Sequence, residues 1–158
     1  MAMELFVFSD RRPETVADWN AALADIGFDV VIDARRIADL NGYQPTKLRG
    51  RDVWIEYDHF DPEEFFKEQD YVRQDRSWKY LLAFRFGGDF YALAAVLMAA
   101  AAYAKITNGV VLDEYEPIFR GWKEIADSAQ TTEQRIPMLE ASKKSTTTEL
   151  NKNPGKVD

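Results

Sequence analysis

Fifteen consecutive apolar residues, Phe90 to Ala104, eight of them alanine, constrain this chain more than any other feature. A helix apolar on every side must be buried on every side, so the run predicts the central helix of a folded core. Asp89 stands where a helix cap belongs and Lys105 where a last-turn cation does. Fifteen residues also fall short of the roughly 20 that cross a bilayer, which argues against a membrane span. On one side lies an aromatic strand, Trp78–Phe86 (WKYLLAFRF), joined through Gly87-Gly88-Asp89. On the other, Asn108-Gly109 leads into a second strand over residues 109–115.

Upstream the pattern continues. Residues 4–9 (ELFVFS) predict a first strand. Pro13 and Glu14 suit a first helical turn, Val16, Trp19, Leu23 and Ile26 recur at helical spacing, and Gly27 closes the helix. Residues 28–34 (FDVVIDA) read as the next strand. If the two strands were parallel, this unit would be right-handed. Residues 35–51 form a polar connection without clear period. Residues 52–59 (DVWIEYDH) then alternate Val53, Ile55 and Tyr57 against Trp54, Glu56 and Asp58, as a half-exposed strand does. Asp61-Pro62-Glu63-Glu64 is a strong helix start for a short helix. Residues 116–130 add a final helix with Ile118, Trp122, Ile125 and Ala129 on one side.

The order β-α-β-β-(α)-β-α-β plus a C-terminal helix predicts an α/β (α+β) sandwich, a mixed sheet with helices packed mainly on one face. At 158 residues one domain is expected. It is placed at residues 1–140. Residues 141–158, rich in Lys, Ser, Thr and Asn, bury too little apolar area to offset their ordering entropy and are expected to be a flexible tail.

Charge and chemistry narrow the function classes. A net charge of −7 argues against nucleic acid, whose phosphates demand clustered Lys and Arg, and fits a basic partner. No cysteine is present, and residues 1–14 lack the basic and long apolar regions of a leader, so a reducing cytoplasm is expected. His59, the single histidine, stands among Glu56, Asp58, Asp61, Glu63 and Glu64, but their spacing matches neither an EF-hand loop nor a zinc site. Gly87-Gly88-Asp89 has no phosphate-loop spacing, and Asp89 would repel a phosphate. Asp33, Asp113 and Glu114 qualify as a catalytic carboxylate pair only if folding brings them together. No nucleophile motif occurs, so no catalytic residue, metal or cofactor is expected. Arg35 and Arg36 read as surface charges.

The denser signal is aromatic residues beside acids through residues 54–61 (WIEYDHFD), continuing into Phe65 and Phe66. Outward-facing Trp54, Glu56 and Asp58, with Asp61, would present aromatic anchors inside an acidic rim, a surface suited to a basic protein. The alternative packing places Trp54 beneath the helix at Asp61.

Three segments carry a resemblance: residues 41–50 (NGYQPTKLRG) running into a strand with an aromatic and Glu56; residues 84–89 (FRFGGD) entering an alanine-rich helix; and residues 104–113 (AKITNGVVLD). In this order they resemble small bacterial immunity-type proteins encoded beside polymorphic or contact-dependent toxins. The resemblance covers about residues 41–115. It implies an α/β sandwich and a cytoplasmic inhibitor that binds a cognate toxin, and it supplies no catalytic residues. Two readings stand: a toxin-neutralising immunity protein, or a small enzyme or ligand-binding domain with a pocket at strand ends near Asp33, Gly87 and Asp113. A homodimer through a free strand edge is a further possibility.

Overall fold

The apolar run forms an 18-residue helix, Phe90–Thr107, and all eight of its alanines are at most 1% exposed. In the computed structural model, which describes residues 2–70, 72 and 76–152 with side chains to residue 142, the rest of the chain is arranged around it. In chain order the described elements are β1 (Met3–Ser9), α1 (Val16–Ile26), β2 (Val30–Ile32), β3 (Gly42–Tyr43), β4 (Thr46–Leu48), β5 (Arg51–Val53), β6 (Ile55–Phe60), α2 (Pro62–Glu68), β7 (Tyr80–Phe86), α3 (Phe90–Thr107), β8 (Val110–Asp113), β9 (Phe119–Arg120) and α4 (Trp122–Lys152). A 3-10 turn at Ile37–Asp39 precedes β3.

The fold is α+β, with two antiparallel sheets. The larger has the order β3-β6-β7-β1-β8-β9 and the smaller β2-β4-β5. β7 and β8 both run antiparallel to β1, which lies between them, so they are parallel to each other and α3 crosses over β1. The mixed sheet expected from the element order is therefore two sheets whose pairings are all antiparallel. Alternation identifies a strand but not its neighbour, and β1 takes the place beside β7 that a simple crossover would have given to β8. The first strand–helix–strand unit likewise has its strands in different sheets.

Side-chain alternation divides the six-stranded sheet into two faces. The inner face (Leu5, Val7, Ile55, Tyr57, Leu82, Phe84, Phe86 and Val111) packs against α1 and α3 in the main core. Trp19 sits at its centre, fully buried, meeting Tyr57, Phe84 and Tyr103 edge-on and donating its indole N–H to the Ala99 carbonyl at 2.9 Å. α4 closes the far side of α3 with Ile125, Ala129 and Ile136. The outer face carries Phe6, Phe8, Leu81, Ala83 and Leu112, half covered by Phe65 and Phe66 of α2.

Several local expectations are corrected. Thr15, not Pro13, opens α1, its hydroxyl accepting from Asp18 N–H, while Gly27 closes it in the left-handed region at φ 93°. The connection over residues 35–51 holds the 3-10 turn, β3 and β4, pieces of two or three residues that are too short to show a period. The strand expected over residues 52–59 is split at Trp54 between the two sheets. Ile118 is exposed ahead of β9, and the last helix starts at Trp122. α4 is assigned to Lys152, which takes in the first part of the expected polar tail, and residues 153–158 lie outside the described residues.

α3 is long and apolar enough to cross a membrane by length and composition, yet two-thirds of it is buried inside the protein. It is a core helix.

Candidate functional site: an acidic, aromatic sheet face

Strand register assembles the outer face from residues far apart in sequence. Tyr43 lies opposite Glu56, Glu56 opposite Arg85, and Arg85 opposite Glu4. Because Leu5 faces Asp113, the same register sets Glu4 beside Glu114. One step along, Asp58, Ala83, Phe6, Leu112 and Phe119 form the next row. α2 covers the Phe8 end of this face, where Phe65 lies 4.9 Å from Phe6 and 5.3 Å from Phe8 between ring centroids. The row through Glu4, Glu56 and Arg85 is left open.

Two grooves run along the boundary between covered and open sheet. One, of about 490 Å³, is lined by Glu4, Phe6, His59, Phe60, Asp61, Glu64, Phe65, Glu68 and Gln69. The other, of about 330 Å³, shares Glu4, Phe6, Phe65 and Gln69 and adds Leu112, Asp113, Glu114 and Tyr115. Apolar floor and carboxylate walls thus alternate across one continuous surface. Glu4 stands at its centre. Partial burial, and then the nearby Glu114 charge, lift its carboxyl above the ordinary value, with Arg85 opposing.

Of the seven large hydrophobic residues exposed among those described, four border this face: Tyr43, Trp54, Phe60 and Tyr115. Trp54, 60% exposed, stacks on Tyr43 with centroids 3.9 Å apart and planes 12° from parallel. Stacking restricts both rings before any partner arrives, which lowers the entropy lost on docking.

The four residues expected to meet a partner share this face. Trp54 is outward, not beneath α2; Glu56 and Asp58 are half-buried beside it; Asp61 sits at the start of α2. Two of them also hold backbone. The Asp58 carboxylate accepts from Gly42 N–H at 3.1 Å, tying β3 to β6, and Asp61 caps α2 by accepting from Glu63 N–H at 3.0 Å. Sequence reasoning left out Glu4 and Tyr43 and had Glu114 in another role. The alternation Glu4, Phe6, Phe8 did signal that Glu4 shares a face with two aromatics, but only the pairing of β1 between β7 and β8 brings it to Glu56 and Glu114.

The remaining candidates are dispersed. His59 donates its Nε2–H to the Ile37 carbonyl at 2.7 Å and ties the 3-10 turn to β6. Asp89 caps α3 through Tyr91 N–H. Asp33, Gly87 and Asp113 line three different grooves. Arg35 and Arg36 are exposed. Among the described residues no group of three or more acidic or histidine side chains converges as a metal site.

Comparison with known proteins finds no matching family model, no matching curated protein and no matching solved structure.

Proposed function

We propose that this chain is a non-catalytic binding protein that receives a basic protein partner on the outer face of its six-stranded sheet, and that it acts as a cytoplasmic immunity protein neutralising a cognate toxin. The observation that carries the reading is the convergence of Glu4, Glu56, Asp58, Glu64, Glu68 and Glu114 with Tyr43, Trp54, Phe60 and Tyr115 on one open surface. Aromatic anchors supply desolvated contact area, while acids steer a cationic partner and speed its capture. Two copies of this face would set like charges against each other, so a second copy is the wrong partner for it. The same charge disfavours nucleic acid, and α3 is committed to the core rather than to a membrane. Of the three carboxylates considered for catalysis, Asp33 opens onto one groove and Asp113 and Glu114 onto another, which is part of the acidic face itself.

The test is growth neutralisation. A partner captured with this chain is expressed alone and then with it. Expression alone should arrest growth, co-expression should restore it, and the variant Trp54→Ala/Glu56→Lys/Glu64→Lys should fail to restore it while remaining folded. A harmless partner, or full rescue by the variant, would refute the assignment.

A further inference from the structure

On the opposite side of the molecule, the short sheet meets α4 at a strained turn. β4 and β5 are joined by a two-residue turn, Arg49-Gly50, with φ 50° and 78°. Two successive positive φ values make the tight hairpin geometry that asparagine and glycine adopt most readily. Arginine at the first of these positions has a Cβ that crowds the backbone, so the turn is strained there. Within the short sheet the turn is held by the Arg49 N–H, which donates to the Asp29 carbonyl at 2.8 Å, and by the Lys47–Asp52 ion pair beside it. α4 adds a long-range hold: the Arg49 guanidinium forms a fork with the Glu133 carboxylate, Nε to Oε2 at 2.8 Å and Nη2 to Oε1 at 2.9 Å.

The helix is weakest where it is gripped. Pro137 lies inside α4, four residues after Glu133, so the Glu133 carbonyl has no N–H to receive in the helical ladder. Ile136 is buried, whereas Met138 immediately after the proline is 64% exposed. Between hairpin and helix lies an apolar groove of about 260 Å³ lined by Leu48, Tyr91, Ile136 and Pro137, with Arg51 stacked over the Tyr91 ring at 3.8 Å.

We propose that Arg49 and Glu133 form a latch that holds α4 onto the β4–β5 hairpin, with Pro137 as its hinge, and that acid or high salt opens it. Opening releases the helix from Glu133 onward and uncovers the groove. The other charged groups at this place are Asp29, beside the Arg49 guanidinium, and Arg51 on β5. The pH direction follows from Glu133, whose carboxyl is held below its ordinary value of 4.5 chiefly by the hydrogen bond from Arg49. Such a group contributes fully above the unfolded value and loses its contribution as pH falls through the folded one. Acid opening therefore belongs below pH 4.5, and opening at neutral pH requires salt.

Hydrogen exchange of the full chain, followed peptide by peptide, tests this. Glu133→Gln and Arg49→Asn each remove the fork, and asparagine suits the turn, so loss of the latch is separated from strain in the hairpin. Both variants should exchange several-fold faster over residues 130–142 at neutral pH and low salt, with β1, β7 and α3 unchanged. In 0.5 M salt the parent should exchange as the variants do. Unchanged exchange over residues 130–142, a salt-insensitive parent, or acceleration spread evenly over the chain would each overturn the latch.

Discussion

The Thr46 hydroxyl donates to the Gln44 carbonyl, so the hydrogen between Thr46 and Tyr57, 2.8 Å apart, belongs to tyrosine. This buried bond links β4 of the small sheet to β6 of the large one. Tyr57→Phe should lower stability by about 1 kcal/mol, read as a shift in the urea midpoint at unchanged slope. Trp19→Phe removes both ring volume and the donor to Ala99 and should cost about 2 kcal/mol in the same measurement. Glu4 has the opposite sign. Folding raises its carboxyl above 4.5, so its ionised form works against the fold; the related stability is present below 4.5 and fades as pH rises through the folded value. Glu4→Gln should therefore be more stable than the parent at pH 7 and indistinguishable from it near pH 3. A variant less stable at pH 7 would show that Arg85, not Glu114 and burial, dominates that position.

Among the elements, α3 shows how far composition reaches. A helix whose alanines are all buried admits close neighbours and no additional volume at those positions, so Ala100→Leu should cost about 1–3 kcal/mol, seen as a lowered thermal midpoint. Gly109 is equally constrained, because a Cβ there would meet the Phe8 carbonyl oxygen at 2.4 Å. The apolar run was legible in the sequence, as were the caps at Asp61 and Asp89, because they depend on neighbours within a few residues, whereas the close approach of Phe8 to Gly109 comes from strand pairing and was not. The alternation Val53, Ile55, Tyr57 against Trp54, Glu56, Asp58 also gave the correct faces. Pairing was not legible. β3, β4 and β9 are two or three residues long, and the insertion of β1 between β7 and β8 joins strands more than 70 residues apart. Half of the candidate face was therefore readable, the contiguous half from Trp54 to Glu64. Glu4, Tyr43, Arg85 and Glu114 reach it through pairings that no local pattern encodes.

At the scale of the whole molecule, charge is placed where the helices leave the sheet bare. α1, α3 and α4 lie on the inner side, α2 covers only the Phe8 end of the outer one, and the remaining surface is acidic with aromatic borders. A partner held there should associate more slowly as salt rises, while truncation of Trp54 should chiefly hasten dissociation. The most direct measurement is affinity capture with the immobilised full chain beside its folded Trp54→Ala/Glu56→Lys/Glu64→Lys variant, each at low and at 0.5 M salt. One stoichiometric basic protein should be retained by the parent at low salt, held more weakly in 0.5 M salt and lost by the variant. A partner kept equally by both proteins, or one as acidic as this chain itself, would contradict binding through this face.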